Sequence, residues 1–194
     1  MKFKLKALTI NKQERISFVL TLIATLTGVL IAIWLTNAQT YYKEKEDSIK
    51  LLQTAKLILV KNLNYANALN KTIIEFEKDT LKNGVEDLKQ LKNANPIPYP
   101  ILFETIISNE LISKNISEYS HSSLYNKLIT LRRLAKYESV DYYQKYLELM
   151  ILILNLEIEN QKGTINSFEL ESKYEIGEKE INEKYTNESI LEIQ

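Results

Sequence analysis

The longest apolar run in the chain covers residues 16–38, which read ISFVLTLIATLTGVLIAIWLTNA and contain no charge. A helix rises about 1.5 Å per residue, so roughly 20 such residues cross the 30 Å hydrocarbon core of a bilayer. Lys12 and Arg15 precede the run, and five consecutive charged residues follow it at 43–47. A core helix of a water-soluble protein would carry a polar stripe, which this segment lacks. The pattern predicts one transmembrane helix over residues 16–38.

Aromatic residues mark the second boundary of this segment. Trp34, Tyr41 and Tyr42 are of the type that gathers where a membrane meets water. The small residues at 36–38 (TNA) leave open an alternative, a signal peptide cleaved after Ala38. The apolar run is longer than a signal-peptide core of roughly 7–15 residues, which favours an uncleaved anchor.

Small side chains recur every four residues along the predicted membrane helix, at Ala24, Gly28, Ala32 and Thr36. This spacing places them on one face, where small residues let two helix backbones approach closely in lipid. We therefore predict a helix-pairing face and a homo-oligomer. The alternative is that Ala and Gly are simply common in membrane helices.

The segment that follows keeps the helical period. Apolar residues recur at steps of three or four, at Leu52, Ala55, Leu59, Leu63, Ala66, Leu69, Ile73 and Phe76. No helix breaker lies between residues 38 and 47, so we expect the membrane helix to continue into a stalk-like helix. Lys82-Asn83-Gly84 is predicted to end it, with Gly84 as a left-handed cap.

The rest of the chain predicts several shorter helices. Only 4 Gly and 3 Pro occur in 194 residues, which favours few turns and long helices. Three of them are expected to carry inward-facing residues: Leu102, Ile106 and Leu111; Leu124, Leu128, Leu131 and Leu134; and Phe168, Tyr174, Ile181 and Tyr185. The expected helices cover 85–92, 101–112, 122–137, 139–163 (beginning at Ser139 or Asp141) and 167–185, with prolines at 96, 98 and 100 and a polar loop at 113–117 between them.

These patterns predict an all-α fold. One N-terminal transmembrane helix continues into a long helix, followed by a helical bundle of three to four further helices. The expected domains are a basic N-terminal tail at 1–15, the transmembrane helix at 16–38, and an α-helical stalk and bundle domain at 39–194.

The formal net charge is zero, with 25 basic and 25 acidic residues, so no general attraction to nucleic acid is expected. The chain from Glu157 onward is acidic, which we interpret as a solvated helix face.

Five Lys and Arg precede the apolar run, whereas three follow it closely, at Lys43, Lys45 and Lys50. The positive-inside rule then favours a cell-membrane protein with a cytoplasmic N-terminus and an external domain.

Candidate chemistry is sparse. Cysteine is absent and His121 is the single histidine, so we predict no metal site, no cofactor and no catalytic residues, and hence no enzyme. Arg132 and Arg133 form an adjacent pair in a chain with three arginines; such forks suit a carboxylate or phosphate. Tyr142 and Tyr146 share a helix face. These four residues either stabilise the bundle or contact a partner or ligand.

Several short stretches stand out together: 28–37 (GVLIAIWLTN), Leu51-Leu52, Asn62, 103–112 (FETIISNELI) and 124–128 (LYNKL). They resemble certain uncharacterised bacterial single-pass membrane proteins with a C-terminal α-helical domain, although Ser108-Asn109 stands where those proteins have Ser-Gly. The resemblance implies the same architecture and no known activity. We expect a membrane-anchored interaction or scaffold protein that contacts lipid, itself and an unknown protein partner. The alternative is a ligand-sensing domain that signals through a partner protein.

Overall fold

The computed structural model of the protein describes residues 11–78, 84–137 and 139–191. Within these ranges the chain forms seven α-helices and no strand, so the predicted all-α fold is confirmed. Most of the predicted basic tail, residues 1–10, lies outside the described residues. The helices are α1 (Lys12–Lys78), α2 (Val85–Ala94), α3 (Ile101–Ile107), α4 (Glu110–Asn115), α5 (Glu118–Tyr137), α6 (Val140–Lys162) and α7 (Ser167–Leu191).

The chain divides into two compact units, residues 1–43 and 44–194. In the first unit, α1 exposes the large apolar side chains from Ile16 to Leu35, each by about half or more. This part of α1 is long and apolar enough to cross a membrane, and none of its most apolar window is buried. The structure therefore contains a candidate membrane span where the sequence predicts one.

In the second unit, α1 contributes one stripe of the hydrophobic core. Its buried residues recur at helical spacing, as predicted, and the stripe begins one turn earlier than expected, at the polar residue Ser48. They pack into one core with residues of the later helices, and α6 packs against both α5 and α7. The buried residues of α1 are Ser48, Leu52, Ala55, Leu59, Ala66, Leu69 and Ile73.

The turn between α6 and α7 follows the predicted glycine signal. Gly163 adopts a left-handed conformation, with φ of 78°, and ends α6 as expected. Its N–H donates to the carbonyl of Asn160, and the N–H of Thr164 donates to that of Glu159. A residue with a Cβ would be strained at this φ, so glycine suits the turn.

Two predicted boundaries are wrong. Gly84 has extended geometry, with φ of −87°, and caps the start of α2 instead of ending α1; Lys82 and Asn83 lie outside the described residues. The predicted helix at 101–112 is two helices, because the side chain of Asn109 accepts a hydrogen bond (2.9 Å) from the N–H of Leu111 and starts α4. The predicted loop at 113–117 is consequently helical as far as Asn115.

Other differences concern which faces point inward. Because α3 ends at Ile107, the pair Phe103 and Ile107 forms its inner face, and Leu102 is 61% exposed, contrary to prediction. Leu124, Leu128 and Leu131 are buried as predicted. On α7, Leu170 and Tyr174 turn inward, which leaves Phe168 79% exposed, also contrary to prediction. Helix α5 begins at 118 instead of 122, and α7 continues to 191 instead of 185.

Candidate functional site

The predicted helix-pairing face is open in the structure. Ala24, Gly28, Ala32 and Thr36 are all exposed, and a Cβ added to Gly28 would meet nothing within 4 Å. The hydroxyl of Thr36 donates to the carbonyl of Ala32 (2.9 Å), so it needs no partner from another helix. The face offers a smooth surface of small side chains for another helix to approach.

Arg132 is the one predicted contact residue that the structure places in a defined arrangement. Its Nη2 donates to both carboxylate oxygens of Glu104, at 2.6 and 2.7 Å, which links α5 to α3. The hydroxyl of Tyr99 donates to the same carboxylate (2.9 Å), and the guanidinium lies 4.9 Å from the Tyr99 ring centre. Hydrogen bonds from Arg132 and then Tyr99 lower the pKa of Glu104. The bundle salt bridge, one of the two predicted roles, is therefore present.

This cluster belongs to a larger clamp on the proline segment at 96–100. The buried Tyr143 donates its hydroxyl to the carbonyl of Pro98, and Tyr65 donates to that of Pro96 (3.3 Å). Burial raises the pKa of both Tyr143 and Tyr99, so both hydroxyls stay protonated and able to donate at neutral pH. A segment that cannot be helical is thus fixed by side chains from α1, α3, α5 and α6.

Acid will weaken the Glu104–Arg132 link. Because the pKa of Glu104 lies below its ordinary value of 4.5, the folded protein binds this proton less tightly than the unfolded chain. The stability from this carboxylate is therefore present above about pH 4.5 and is lost as the pH falls through the lowered pKa. Urea unfolding across this range should show a smaller loss for Glu104→Gln than for the wild type. Glu110→Gln, an exposed control on α4, should behave as the wild type; equal losses in all three proteins would contradict the link.

The other predicted contact residues are not gathered with Arg132. Arg133 is exposed, Tyr142 is 60% exposed, and Tyr146 is half-buried against the core. Within the described residues, no hydrogen bond, ion pair or ring contact joins either arginine to Tyr142 or Tyr146. Arg133 instead follows Tyr125 and Ile129 at four-residue spacing on an exposed face of α5.

A buried carboxylate was missed by sequence reasoning. The sequence predicts a solvated helix face from Glu157 onward, yet Glu157 itself is fully buried. It accepts hydrogen bonds from the backbone N–H (3.1 Å) and hydroxyl (2.6 Å) of Ser117, immediately before α5. The amide of Gln161 donates to Glu157 (3.3 Å) and to the carbonyl of Asn115 (3.1 Å). The network joins the start of α5 to the end of α6. One signal for this network was present in the sequence. Ser117 directly precedes Glu118, and a serine followed by an acidic residue is typical of a helix start.

A second missed feature is a cleft of about 560 Å³ between α5 and α7. The Lys127 ammonium lies 3.5 Å from the Glu178 carboxylate and 5.0 Å from the Tyr174 ring centre. Burial raises the pKa of Tyr174, whose hydroxyl donates to Glu178 (3.1 Å). Lys127 is thus already paired with Glu178, and this ion pair links α5 to α7.

A third polar group joins α1 to α6 within the second unit. Asn70 donates to Asp141 (2.7 Å), and Gln144 donates to Asn67 (2.8 Å). These amides line a cleft of about 400 Å³ that also reaches Glu148 on α6. Because the partners are short and polar, they fix the register of α1 against α6.

Metal chemistry receives no support from the described residues, in which no group of three or more His, Asp or Glu side chains could hold an ion. No protein family, curated protein or solved structure matches the chain. Three features of the described residues bear on function: an exposed apolar helix, an open face of small residues, and a helical domain whose helices are joined by polar side-chain contacts.

Proposed function

We propose that the protein is a single-pass membrane protein whose helical domain serves as an interaction or scaffold module. One observation carries the proposal: α1 exposes apolar side chains on every face from Ile16 to Leu35. Each large apolar side chain removed from water contributes about 1.5–3 kcal/mol, so this surface is strongly unfavourable in water and favourable in lipid. Lipid is accordingly the first partner of the protein.

The proposed topology places the N-terminus in the cytoplasm and the domain outside the cell membrane. The support is the count of basic residues, five before the span and three shortly after it. The positive-inside rule counts Lys and Arg and gives little weight to acidic residues. The acidic residues at 44, 46 and 47 therefore do not change the count of three basic residues after the span.

The second part of the proposal is an unknown protein partner for the domain. The exposed face of α5 supports it, since Tyr125 and Ile129 are each about half exposed and lead to the exposed Arg133. Aromatic and arginine residues are enriched at protein interfaces. Tyr142 on α6 is a further exposed aromatic available for such a contact.

Self-association through the membrane helix is the third part, and the open face at Gly28 supports it. The change Gly28→Leu should lower the yield of cross-linked dimer about tenfold in mild detergent, because leucine keeps the backbones apart. Thr27→Leu, on a neighbouring face, is the matched control and should leave the yield unchanged. Native mass spectrometry gives the second measurement. A wild-type monomer, or a dimer that Gly28→Leu leaves intact, would overturn self-association.

A ligand-sensing domain that signals through a partner protein is the second candidate. It would need Arg132 to exchange the Glu104 carboxylate for a ligand carboxylate or phosphate. That exchange breaks contacts to two carboxylate oxygens and one tyrosine ring, so we rank it below the interaction role. Arg133, Tyr142 and Tyr146 would then be secondary contacts.

A further inference from the structure

We propose that two copies of the chain associate through their helical domains, with α7 of each copy seated in the groove between α1 and α6 of the other. The proposal rests on the proposed function, because it adds a contact between helical domains to the self-association proposed there. Three observations within the second compact unit lead to it: an open apolar groove, unpaired lysines beside this groove, and an exposed face of α7 with apolar and acidic side chains.

The groove between α1 and α6 has a volume of about 720 Å³. Its apolar wall consists of Leu57 and Val60 from α1 and Ile158 from α6. Leu57 is 55% exposed, although the exposed positions of α1 around it are mostly polar. An apolar side chain from another helix would leave water by entering this groove, which favours its binding there.

The charge beside the groove is positive. Lys56 and Lys162 line it, and Lys61 follows Leu57 by one helical turn. None of these three lysines forms an ion pair with another described residue. Among the residues that line the groove, Glu159 carries the single negative charge. Three lysines against one glutamate leave a net charge of +2, which suits an acidic occupant.

The exposed apolar residues of α7 match the groove in length. Phe168 and Ile176 are 79% and 61% exposed, and eight helical residues separate them by about 12 Å. The groove extends over residues 53–60 of α1 and 155–162 of α6, which is about 10 Å along each helix. Two apolar side chains of α7 can therefore lie along one groove.

The charge around these two residues is opposite to that of the groove. Three exposed glutamates flank them without an ion pair to another described residue, and Lys173 is the one unpaired lysine beside them. Lys179, one turn after Ile176, is already paired with Glu183 (3.9 Å). Three glutamates against one lysine leave a net charge of −2. The three glutamates are Glu169, Glu175 and Glu180.

Both surfaces occur on every copy, so the proposed contact is formed twice. Helix α6 provides one wall of the groove and also packs against α7, which places the two surfaces on neighbouring parts of the domain. A two-fold axis between two copies then brings each α7 to the groove of the other copy, and the association closes as a dimer.

The test is disulfide formation between two differently tagged full-length copies in mild detergent, since the chain has no cysteine. One copy carries Leu57→Cys and the other carries Ile176→Cys. The matched control pair combines Leu57→Cys with Tyr125→Cys, because Tyr125 is 52% exposed but lies on α5. We expect about tenfold more cross-linked dimer from the first pair, since an interface holds its two cysteines at a high local concentration.

Charge reversal gives the second measurement. Lys56→Glu with Lys162→Glu, added to the copy with a cysteine at 57, should lower the yield about fivefold. Glu175→Lys with Glu180→Lys, added to the other copy, should restore it. Misfolding of the first copy would not be reversed by a change in the second.

A yield equal to that of the control pair would overturn the proposal, and so would a charge reversal that has no effect or is not restored. A cysteine at 57 that is protected from maleimide but forms no cross-link would mean that another molecule covers the groove, which also overturns it. The Gly28→Leu measurement separates this failure from that of the proposed function. If the wild type forms a Gly28-dependent dimer without the cross-link, the docking inference alone is wrong, whereas a wild-type monomer refutes both.

Discussion

Two arginines in the middle of the apolar segment, introduced by Leu26→Arg and Leu30→Arg, will release the protein from the membrane. Both leucines are more than half exposed, so the substitutions cannot disturb a packed core. An arginine at the centre of a membrane helix costs about 2.5–3.5 kcal/mol, and two cost roughly 5–7 kcal/mol. That sum is large enough to change an inserted helix into a largely uninserted one.

Alkaline extraction of membranes, followed by detection of the protein in pellet and supernatant, measures the effect. Tyr41→Arg combined with Tyr42→Arg adds the same charge just beyond the segment and should leave the protein in the pellet. Wild-type protein in the supernatant would contradict the membrane assignment. A double-arginine variant that stays in the pellet would mean that another part of the chain holds the protein there.

Removal of the buried carboxylate by Glu157→Ala will lower the free energy of unfolding of the helical domain by about 3 kcal/mol. The reason is that the N–H and the hydroxyl of the half-buried Ser117, and the amide of the buried Gln161, lose the acceptor that the fully buried carboxylate supplies. A carboxylate at the start of α5 also interacts favourably with the helix dipole. Removal of the carboxylate also removes the cost of its own desolvation, but this gain offsets only part of the loss, because Gln161 remains buried and Ser117 half-buried without their acceptor.

Urea unfolding followed by circular dichroism will measure this change. Glu157→Gln keeps one acceptor oxygen and should be milder than the alanine change. Glu159→Ala, an exposed position on the same helix, should alter stability by less than about 0.5 kcal/mol. If Glu157→Ala is as stable as the Glu159→Ala control, the network around Ser117 contributes nothing to the domain.

The sequence predicts the parts of this fold that depend on periodicity. The buried stripe from Leu52 to Ile73 follows from the three- and four-residue spacing of its apolar residues. The left-handed turn at Gly163 is predicted because few residue types other than glycine adopt a positive φ. Boundaries without a strong breaker are not predicted. The break at Ser108-Asn109 depends on a side-chain cap, which competes with continued helix by a free energy of about 1 kcal/mol.

The candidate site is less accessible to sequence reasoning, because it depends on contacts between distant residues. Nothing local tells that Arg132 meets Glu104, 28 residues earlier, while Arg133 remains exposed. Likewise, Glu157 is one of many glutamates in the acidic part of the chain, and its burial is favourable because Ser117, 40 residues earlier, and Gln161 donate hydrogen bonds to it. The candidate membrane span is the exception, since its apolar character lies in consecutive residues.

The way α1 contributes to the core has a consequence for synthesis. Asn70 pairs with Asp141, 71 residues later, so the apolar stripe of α1 leaves the ribosome well before α6 exists. At about 5–20 residues per second, that interval is roughly 4–14 s. On the proposed topology, residues 16–38 enter the bilayer first, and the nascent stripe then stays without its partner helix during this interval. Completion of the core therefore has to wait for α6, and a chaperone that shields the stripe of α1 would act in those seconds.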